Sequence, residues 1–526
     1  MKNAFITILI FFLFQGFVLG QKEGLATIKK EDLKANMEFL ASDFLMGRET
    51  GTEANDVAGL YIKSIIKRFG LKPGGDDYYQ HMLLASYRNK MEESYLKISD
   101  YNGKELFSTD SLMLLMTGHR TMDAAGKIVF AGYGYEDEKS GYNDFDGIDV
   151  KDKIVLFMTR TPEMVRKGEG ESSLNFQSEE GKIGSLFERG AKALLMVFDP
   201  SYSEQDPFMS MLYEVTRSGQ VYPEEDTLRS IPFILAFIKP GAANQLLSSS
   251  GKTLQQYQHE IYASGKPVSV EIPGINVSLK AAVEKRKFDS KNVIGIVEGS
   301  DPVLKNECIV YTAHFDHAGT DSNGEVYNGA DDDASGSVGL IELAEAFMKL
   351  EKKPLRSVVF AWVNGEEKGL LGSEYYVNNP AITLDRTLLD INLDMIGRTR
   401  TPADTGRFFG IELDVIGPDE VILYTKHESS DVTRMISSAA AKNGLKIIDK
   451  GEDIEAGGSD HESFWNKGVP AVMFHTGVNA DTHRITDEES RIDYDKMEQI
   501  TKLVFQLGYD VANKRERIRI DNSINK

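Results

Sequence analysis

The chain is poor in cysteine, in basic residues and in long apolar runs, and each shortage narrows its class. One cysteine in 526 residues, Cys308, excludes an intrachain disulfide. Its setting, Cys308-Ile309-Val310-Tyr311, points to a buried structural thiol. Lys and Arg number 60 against 81 Asp and Glu, for a formal charge of -21. Such a balance excludes a nucleic-acid surface, which needs clustered cations to release phosphate counterions; the acidity reads as a solubility feature. The one extended apolar run, Ala4 to Phe14, follows Met1-Lys2-Asn3 and ends near Gly16 to Gly20. It reads as a secretory signal peptide over residues 1–20, cleaved near Gly20/Gln21. A run this short makes no stable membrane span, so the expected product is exported, periplasmic or secreted.

What is present is a globular composition, 41% apolar and 27% charged, long enough for two or three cores. Across residues 31–70, Leu33, Met37, Leu40, Phe44, Leu60, Ile62, Ile65 and Ile66 recur at helical spacing. From 96 to 280 short β-rich runs such as Ile154-Val155-Leu156-Phe157 alternate with turn residues, the texture of a compact mixed or mostly β module. Within it, Ile183 to Arg189 leads through Gly190 into the apolar run ending at Phe198, a helix-then-strand unit. From Asn292 onward strands alternate with helices: strands over Ile309–Ala313, Val358–Val363, Leu388–Leu393 and Ala471–Phe474, and a helix from about Ser335 to Leu350. That alternation predicts a largely parallel sheet covered on both faces. The organisation expected is 21–95 and 281–526 as one α/β unit, interrupted by 96–280.

In such sheets ligands bind beyond the carboxyl ends of the strands, and residues of metal-ligand type fall there. His314 follows one strand, Glu366 and Glu367 another, Asp394 ends a third, and His483 lies after a fourth; Asp332 sits in the loop that opens a helix. Imidazole and carboxylate suit zinc. Asp332, Glu367 and Asp394 with one hydroxide would balance two divalent ions, and a near-neutral cluster is cheap to bury. Other motifs fail. His259, His427 and His461 each precede a glutamate but are followed at the fourth position by Ala263, Asp431 and Trp465, so none forms His-Glu-x-x-His. Gly251-Lys252-Thr253 lacks the first glycine of a phosphate loop, and Gly132-Tyr133-Gly134 the third of a dinucleotide fingerprint.

On His314-Phe315-Asp316, Asp332-Asp333-Ala334-Ser335-Gly336, Glu366-Glu367, Asn392-Leu393-Asp394-Met395 and His483 with Asp487 after it, the chain resembles the co-catalytic dizinc exopeptidases, which include bacterial leucyl aminopeptidases and glutamate carboxypeptidase II. The likeness is most specific over 290–510, and the middle region resembles the protease-associated domain often inserted in these enzymes. It implies a three-layer α/β/α, phosphorylase/hydrolase-like peptidase domain with a mixed, largely parallel sheet. It also implies two Zn2+ held by His314, Asp332, Glu367, Asp394 and His483, with Asp332 bridging and followed by a peptide bond that is commonly cis. Glu366 resembles the general base, and Asp316 the carboxylate that fixes the His314 tautomer. His483 is preferred to His475 because the closing motif pairs a histidine with a following acid. His475 and His461 then read as hydrogen-bonded wall residues, and Asp331, Asp333 and His317 as structural.

Two departures leave the oxyanion role unassigned: Thr482 and Ala456 stand where relatives often carry tyrosine. The implied activity is release of residues from peptide or protein N-termini by a metal-activated water. Three other outcomes share the scaffold. A carboxypeptidase or dipeptidase needs arginines for a substrate carboxylate, for which Arg398 is a candidate although a lone surface arginine is the simpler reading. A glutaminyl cyclase-like acyltransferase keeps one zinc, and a receptor-like binding protein keeps no metal site.

Overall fold

A computed structural model describes residues 21–521 except 110–113, 118–119, 163–175, 202–218, 225–232, 322, 409–410 and 453–457. The signal-peptide segment 1–20 and Ala456 lie outside the described residues. The chain forms two compact units, one of residues 1–83, 289–408 and 412–526, the other of 84–288 and 409–411.

The first unit is built on helices α1 (Lys30–Leu40) and α2 (Glu53–Phe69), strands β1 (Val283–Val297) and β2 (Cys308–His314), and helix α3 (Gly336–Lys349). These are followed by β3 (Ser357–Val363), α4 (Leu371–Asn378), β4 (Thr387–Leu393), β5 (Glu420–Thr425), α5 (Ser430–Lys442), β6 (Lys446–Gly451), α6 (His461–Trp465), β7 (Ala471–His475) and α7 (Tyr494–Asn513). Sheet order is β1-β3-β2-β4-β7-β5-β6. The β3-β2-β4-β7 run is parallel, while β1 and β5 join it antiparallel. Every residue of β2, β3, β4 and β7 is buried, as expected of parallel strands covered on both faces. Alternation along the strands splits the core. Ile309, Tyr311, Phe360 and Trp362 pack with α1, α2, α3 and α7, whereas Val310, Val359 and Ala361 pack with Tyr376 of α4 and Phe464 of α6. The result is the expected three-layer arrangement.

Register then aligns the chemistry. His314 pairs with Val363, and Thr312 pairs with Asn392, so the loop after β3 and Asp394 after β4 leave the sheet beside His314. The helical reading of 31–70 breaks between α1 and α2. Thr52 caps α2 by accepting from the Asn55 N–H, and before it Met46 (φ 47°), Gly47 (φ 69°) and Arg48 (φ 49°) turn the chain through left-handed conformations. The break places the Arg48 side chain, only 1% exposed, inside the unit. There Nε donates to the Phe315 carbonyl (2.9 Å), Nη1 to those of Leu40 and Asn328, and Nη2 to that of Gly329 (3.0 Å).

The second unit holds a six-stranded sheet, in which Ile128–Phe130, Ile154–Met158, Ala193–Val197 and Ile234–Phe237 run parallel, and a four-stranded antiparallel sheet. Parallel neighbours need crossovers, supplied here in part by the helix Phe176–Glu188; Pro240–Leu247 and Leu254–Ser264 are helical too. Among the described residues the unit is richer in strand than in helix, with three α-helices beside its strands. No helix among the described residues is long and apolar enough to cross a membrane.

Because Arg48 serves the carbonyls of two loops that carry histidines and acids of the metal-ligand type, Arg48→Met should lower unfolding stability by about 3 kcal/mol, leaving buried carbonyls without donors. Urea unfolding followed by intrinsic fluorescence measures this, and a loss under about 0.5 kcal/mol, the range of ordinary surface substitutions, contradicts it.

Candidate metal centre

The loops leaving β2, β3, β4 and β7 converge on Asp332, which lies in a short irregular turn ahead of α3. The peptide bond from Asp332 to Asp333 is cis. Asp332 divides its oxygens. Oδ1 is 3.4 Å from His314 Nε2, and Oδ2 is 3.0 Å from His483 Nε2. On the first side Asp394 Oδ1 stands 3.8 Å from His314 Nε2; on the second Glu367 Oε2 stands 3.3 Å from His483 Nε2. The donors thus form two groups that share one carboxylate: His314, Asp332 and Asp394, and Asp332, Glu367, His483 and His317. Glu366 faces the first group, its Oε2 3.9 Å from His314 Nε2.

The spacings fit zinc. Ligand bonds of about 2.0–2.2 Å in a tetrahedron place donors about 3.3–3.6 Å apart, close to the separations between His314 or His483 and their carboxylates. Asp394 Oδ1 is buried and lacks a hydrogen-bond partner, as expected of an oxygen directed at a cation. Burial opposes charge at Asp332, yet hydrogen bonds from His314 and His483 hold its carboxyl well below the usual carboxylate range. Burial also opposes charge on the two histidines. The carboxylates outweigh it, Glu366 foremost for His314 and Glu367 for His483, and both imidazoles are held well above their ordinary value. The centre is therefore strongly attractive to positive charge.

The tautomer of His314 is set differently from expectation. Nδ1 lies 3.2 Å from the backbone carbonyl of Asp316 and 3.8 Å from its carboxylate, so it donates to the carbonyl, and Nε2 is the nitrogen turned toward the acids. The Asp316 carboxylate does other work. Oδ1 accepts from the N–H groups of Gly365 (2.8 Å) and Glu366 (3.2 Å), and Oδ2 accepts from Thr50 Oγ1 (2.8 Å). Asp316 therefore holds the turn that carries Glu366 and Glu367.

Asp331 and Asp333 are structural. Asp331 accepts from the Gly397 N–H and from Asn479 Nδ2, and Asp333 from the N–H groups of Gly336 and Met395. Asp487, the acid after His483, accepts from the N–H groups of Asp331 and Asp332. Its place in the closing motif was the signal for that role. His475 Nδ1 accepts from the Gly477 N–H (2.7 Å), whereas neither ring nitrogen of buried His461 has a hydrogen-bond partner. His461 instead packs edge-on against Trp465, and burial pushes its pKa down to about 3. His317, read as structural from the sequence, lies within the second donor group. Arg398 is not a surface residue. It is buried, and its Nη2 donates to Asp481 Oδ2 (2.7 Å).

Comparison with known proteins agrees with this geometry. Residues 292–508 match the model of peptidase family M28. Over 274 residues the chain is 27% identical to aminopeptidase YwaD of Bacillus subtilis (strain 168), covering 48% of this chain and 54% of that protein. It is 28% identical over 245 residues to leucine aminopeptidase 1 of Trichophyton rubrum, covering 44% of this chain and 61% of that protein. The match thus spans less than two thirds of either relative's length. Among solved structures, the aminopeptidase from Aneurinibacillus sp. strain AM-1 aligns with a TM-score of 0.59 at 21% identity, covering 95% of this chain and 98% of that one. BSAP, a zinc aminopeptidase from Bacillus subtilis, aligns at 0.54 and 20%, covering 94% and 97%. At these identities the structures establish a shared fold.

Removing the acceptor that holds the Glu366–Glu367 turn, as in Asp316→Ala, should weaken zinc retention about 10–100-fold. A titration against a chromophoric chelator reads this, and unchanged retention would remove Asp316 from the support of the site.

Proposed function

We propose that the chain, whose residues 292–508 match the model of peptidase family M28, is a member of that family and an exported zinc aminopeptidase that binds two zinc ions and trims peptide or protein N-termini. The observation that carries this reading is the pair of donor groups sharing Asp332, with Glu366 beside them. His314 and Asp394 would hold one ion, Glu367 and His483 the other, and Asp332 both. The names of the relatives, aminopeptidases of bacterial and fungal origin, support the substrate class. Export rests on the apolar run near the N-terminus. We keep residues 96–280 as a protease-associated-like insertion, a reading supported by their lying within the unit that interrupts the first one between residues 83 and 289.

Zinc, when bound, supplies Lewis acidity that makes water more acidic and polarises a carbonyl. The remaining work belongs to the side chains. Burial, with the neighbouring acids Glu367, Asp460 and Asp394 adding to it, raises the Glu366 carboxyl well above the usual range, which suits a group that takes a proton from the attacking water and returns it to the departing amine. Asp316 keeps that carboxyl in place through the backbone of residues 365 and 366. For the carboxypeptidase alternative, Arg398 gives Nη2 to Asp481 while its buried Nη1 has no hydrogen-bond partner.

The test pairs peptide substrates with free and acetylated N-termini, with and without chelator. Aminopeptidase action requires cleavage that stops on acetylation or chelation; cleavage of acetylated peptides from the carboxyl end overturns it. Glu366→Gln should lower kcat by about 10²–10⁴-fold while zinc content stays at that of the unaltered protein. Full turnover in that variant overturns the proton transfer. Elemental analysis giving one zinc per chain overturns the two-ion reading.

A further inference from the structure

The two donor groups differ in one respect: the first has no counterpart to His317. The residue follows the turn after β2 and is fully buried. Its N–H donates to the Arg48 carbonyl at 3.3 Å. Its ring is clamped. One edge lies against Gly329, where an added Cβ would stand 2.4 Å from His317 Cδ2, and the ring meets that of His483 nearly at right angles with centroids 5.5 Å apart. Gly329 itself has φ +55°, a conformation that glycine adopts without cost. The ring therefore has little freedom to turn, and its Nδ1 is aimed at Glu367.

That contact has the length of a hydrogen bond. Nδ1 is 2.7 Å from Glu367 Oε1, shorter than the separation of about 3.3 Å between two ligands on one tetrahedral zinc. Nδ1 also stays 3.9 Å from Asp332 Oδ2. Meanwhile Glu367 Oε2 is the oxygen 3.3 Å from His483 Nε2. The two oxygens of Glu367 are thus assigned to different partners. On the other side, no N–H or O–H among the described residues donates to the Asp394 carboxylate to fix which oxygen faces His314.

We infer that His317 is a positioning residue which donates its Nδ1–H to Glu367 Oε1, commits Oε2 to the metal, and makes the Glu367–His483 subsite the tighter of the two. This rests on the two-ion reading above. In binding terms the carboxylate loses rotational freedom before the ion arrives, so less ordering accompanies binding there than at Asp394.

The experiment titrates zinc into the metal-free full-length protein against a competing chromophoric chelator, comparing the unaltered chain with His317→Ala, His317→Asn and His317→Gln. Alanine removes the donor. Asparagine places an amide N–H near the position of Nδ1, whereas glutamine places one near Nε2. Alanine and glutamine should each weaken one equivalent about 10–100-fold and leave the other within about two-fold, and asparagine should recover most of the loss. Visible absorption of the protein loaded with one cobalt per chain should shift in the alanine variant and not in the asparagine variant. The inference is overturned if both equivalents keep their affinity in alanine, if asparagine fares no better than alanine, or if glutamine matches the unaltered chain. Should alanine fail to fold, the asparagine and glutamine variants still decide between these outcomes. An unaltered chain that saturates at one zinc overturns the two-ion reading itself, a result distinct from equal titrations of wild type and variants.

Discussion

The shared carboxylate of Asp332 is the constraint from which the rest of the first unit follows. One side chain must present an oxygen to each of two histidine-bearing groups, His314 on one side and His483 on the other. Doing so concentrates acids in a buried space: Asp331, Asp333, Asp394, Glu366, Glu367 and Asp487 all stand nearby. Like charges out of water repel and are poorly solvated. The carboxyls of Asp331 and Asp333 are accordingly pushed well above the usual range, by burial first. Imidazoles supply the opposite sign at the centre, and backbone N–H groups supply it around the edge.

The edge shows a consistent division of labour. Asp316 takes two N–H groups from the turn carrying Glu366, and Asp487 takes two from the turn carrying Asp332. Asp333 takes those of Gly336 and Met395, the second adjacent to Asp394. Each supporting acid thus faces backbone rather than the metal-binding atoms. A carboxylate that accepts several N–H bonds is satisfied where it is buried, and in return it fixes a loop that would otherwise have only its ends held by the sheet. Arg48 completes the scheme from the opposite polarity, giving its N–H groups to carbonyls of the same loops.

This division explains what could be read from the sequence. Buried parallel strands appear as unbroken apolar runs, so β2, β3, β4 and β7 were visible, and with them the residues just past their carboxyl ends. His314, Glu367, Asp394 and His483 could be nominated on that ground, and the structure brings them together around Asp332. Supporting contacts to backbone atoms leave no such trace, because every residue carries the same N–H and C=O. The sequence thus points Asp316 at the imidazole of His314 rather than at the turn of residues 365–366, and nothing in it marks Arg48, far from the site along the chain. The break between α1 and α2 was hidden for a related reason: Met46 and Arg48 adopt positive φ without being glycine, which propensity disfavours and only the surrounding contacts explain. In the second unit, short apolar strands looked alike whether parallel or antiparallel, so its helical content was underread.

His317 belongs between these categories and shows how the two layers of the site meet. Its backbone N–H is bound to Arg48, its ring is seated on Gly329, and its Nδ1 reaches Glu367. Arg48 in turn donates to the Asn328 and Gly329 carbonyls. A single path therefore runs from a buried guanidinium through a glycine-bounded turn to one oxygen of an acid in the second donor group. Among the described residues no equivalent path reaches the Asp394 carboxylate, whose nearest support is the N–H of its neighbour Met395, held by Asp333. Two donor groups that look alike by residue type, each with a histidine and an acid around a common aspartate, are thus held by unequal frames. Ligand type alone does not determine how firmly an ion is held, because affinity also depends on how far the ligands are ordered before it binds. The inequality of the frames follows from the path of the chain around Gly329.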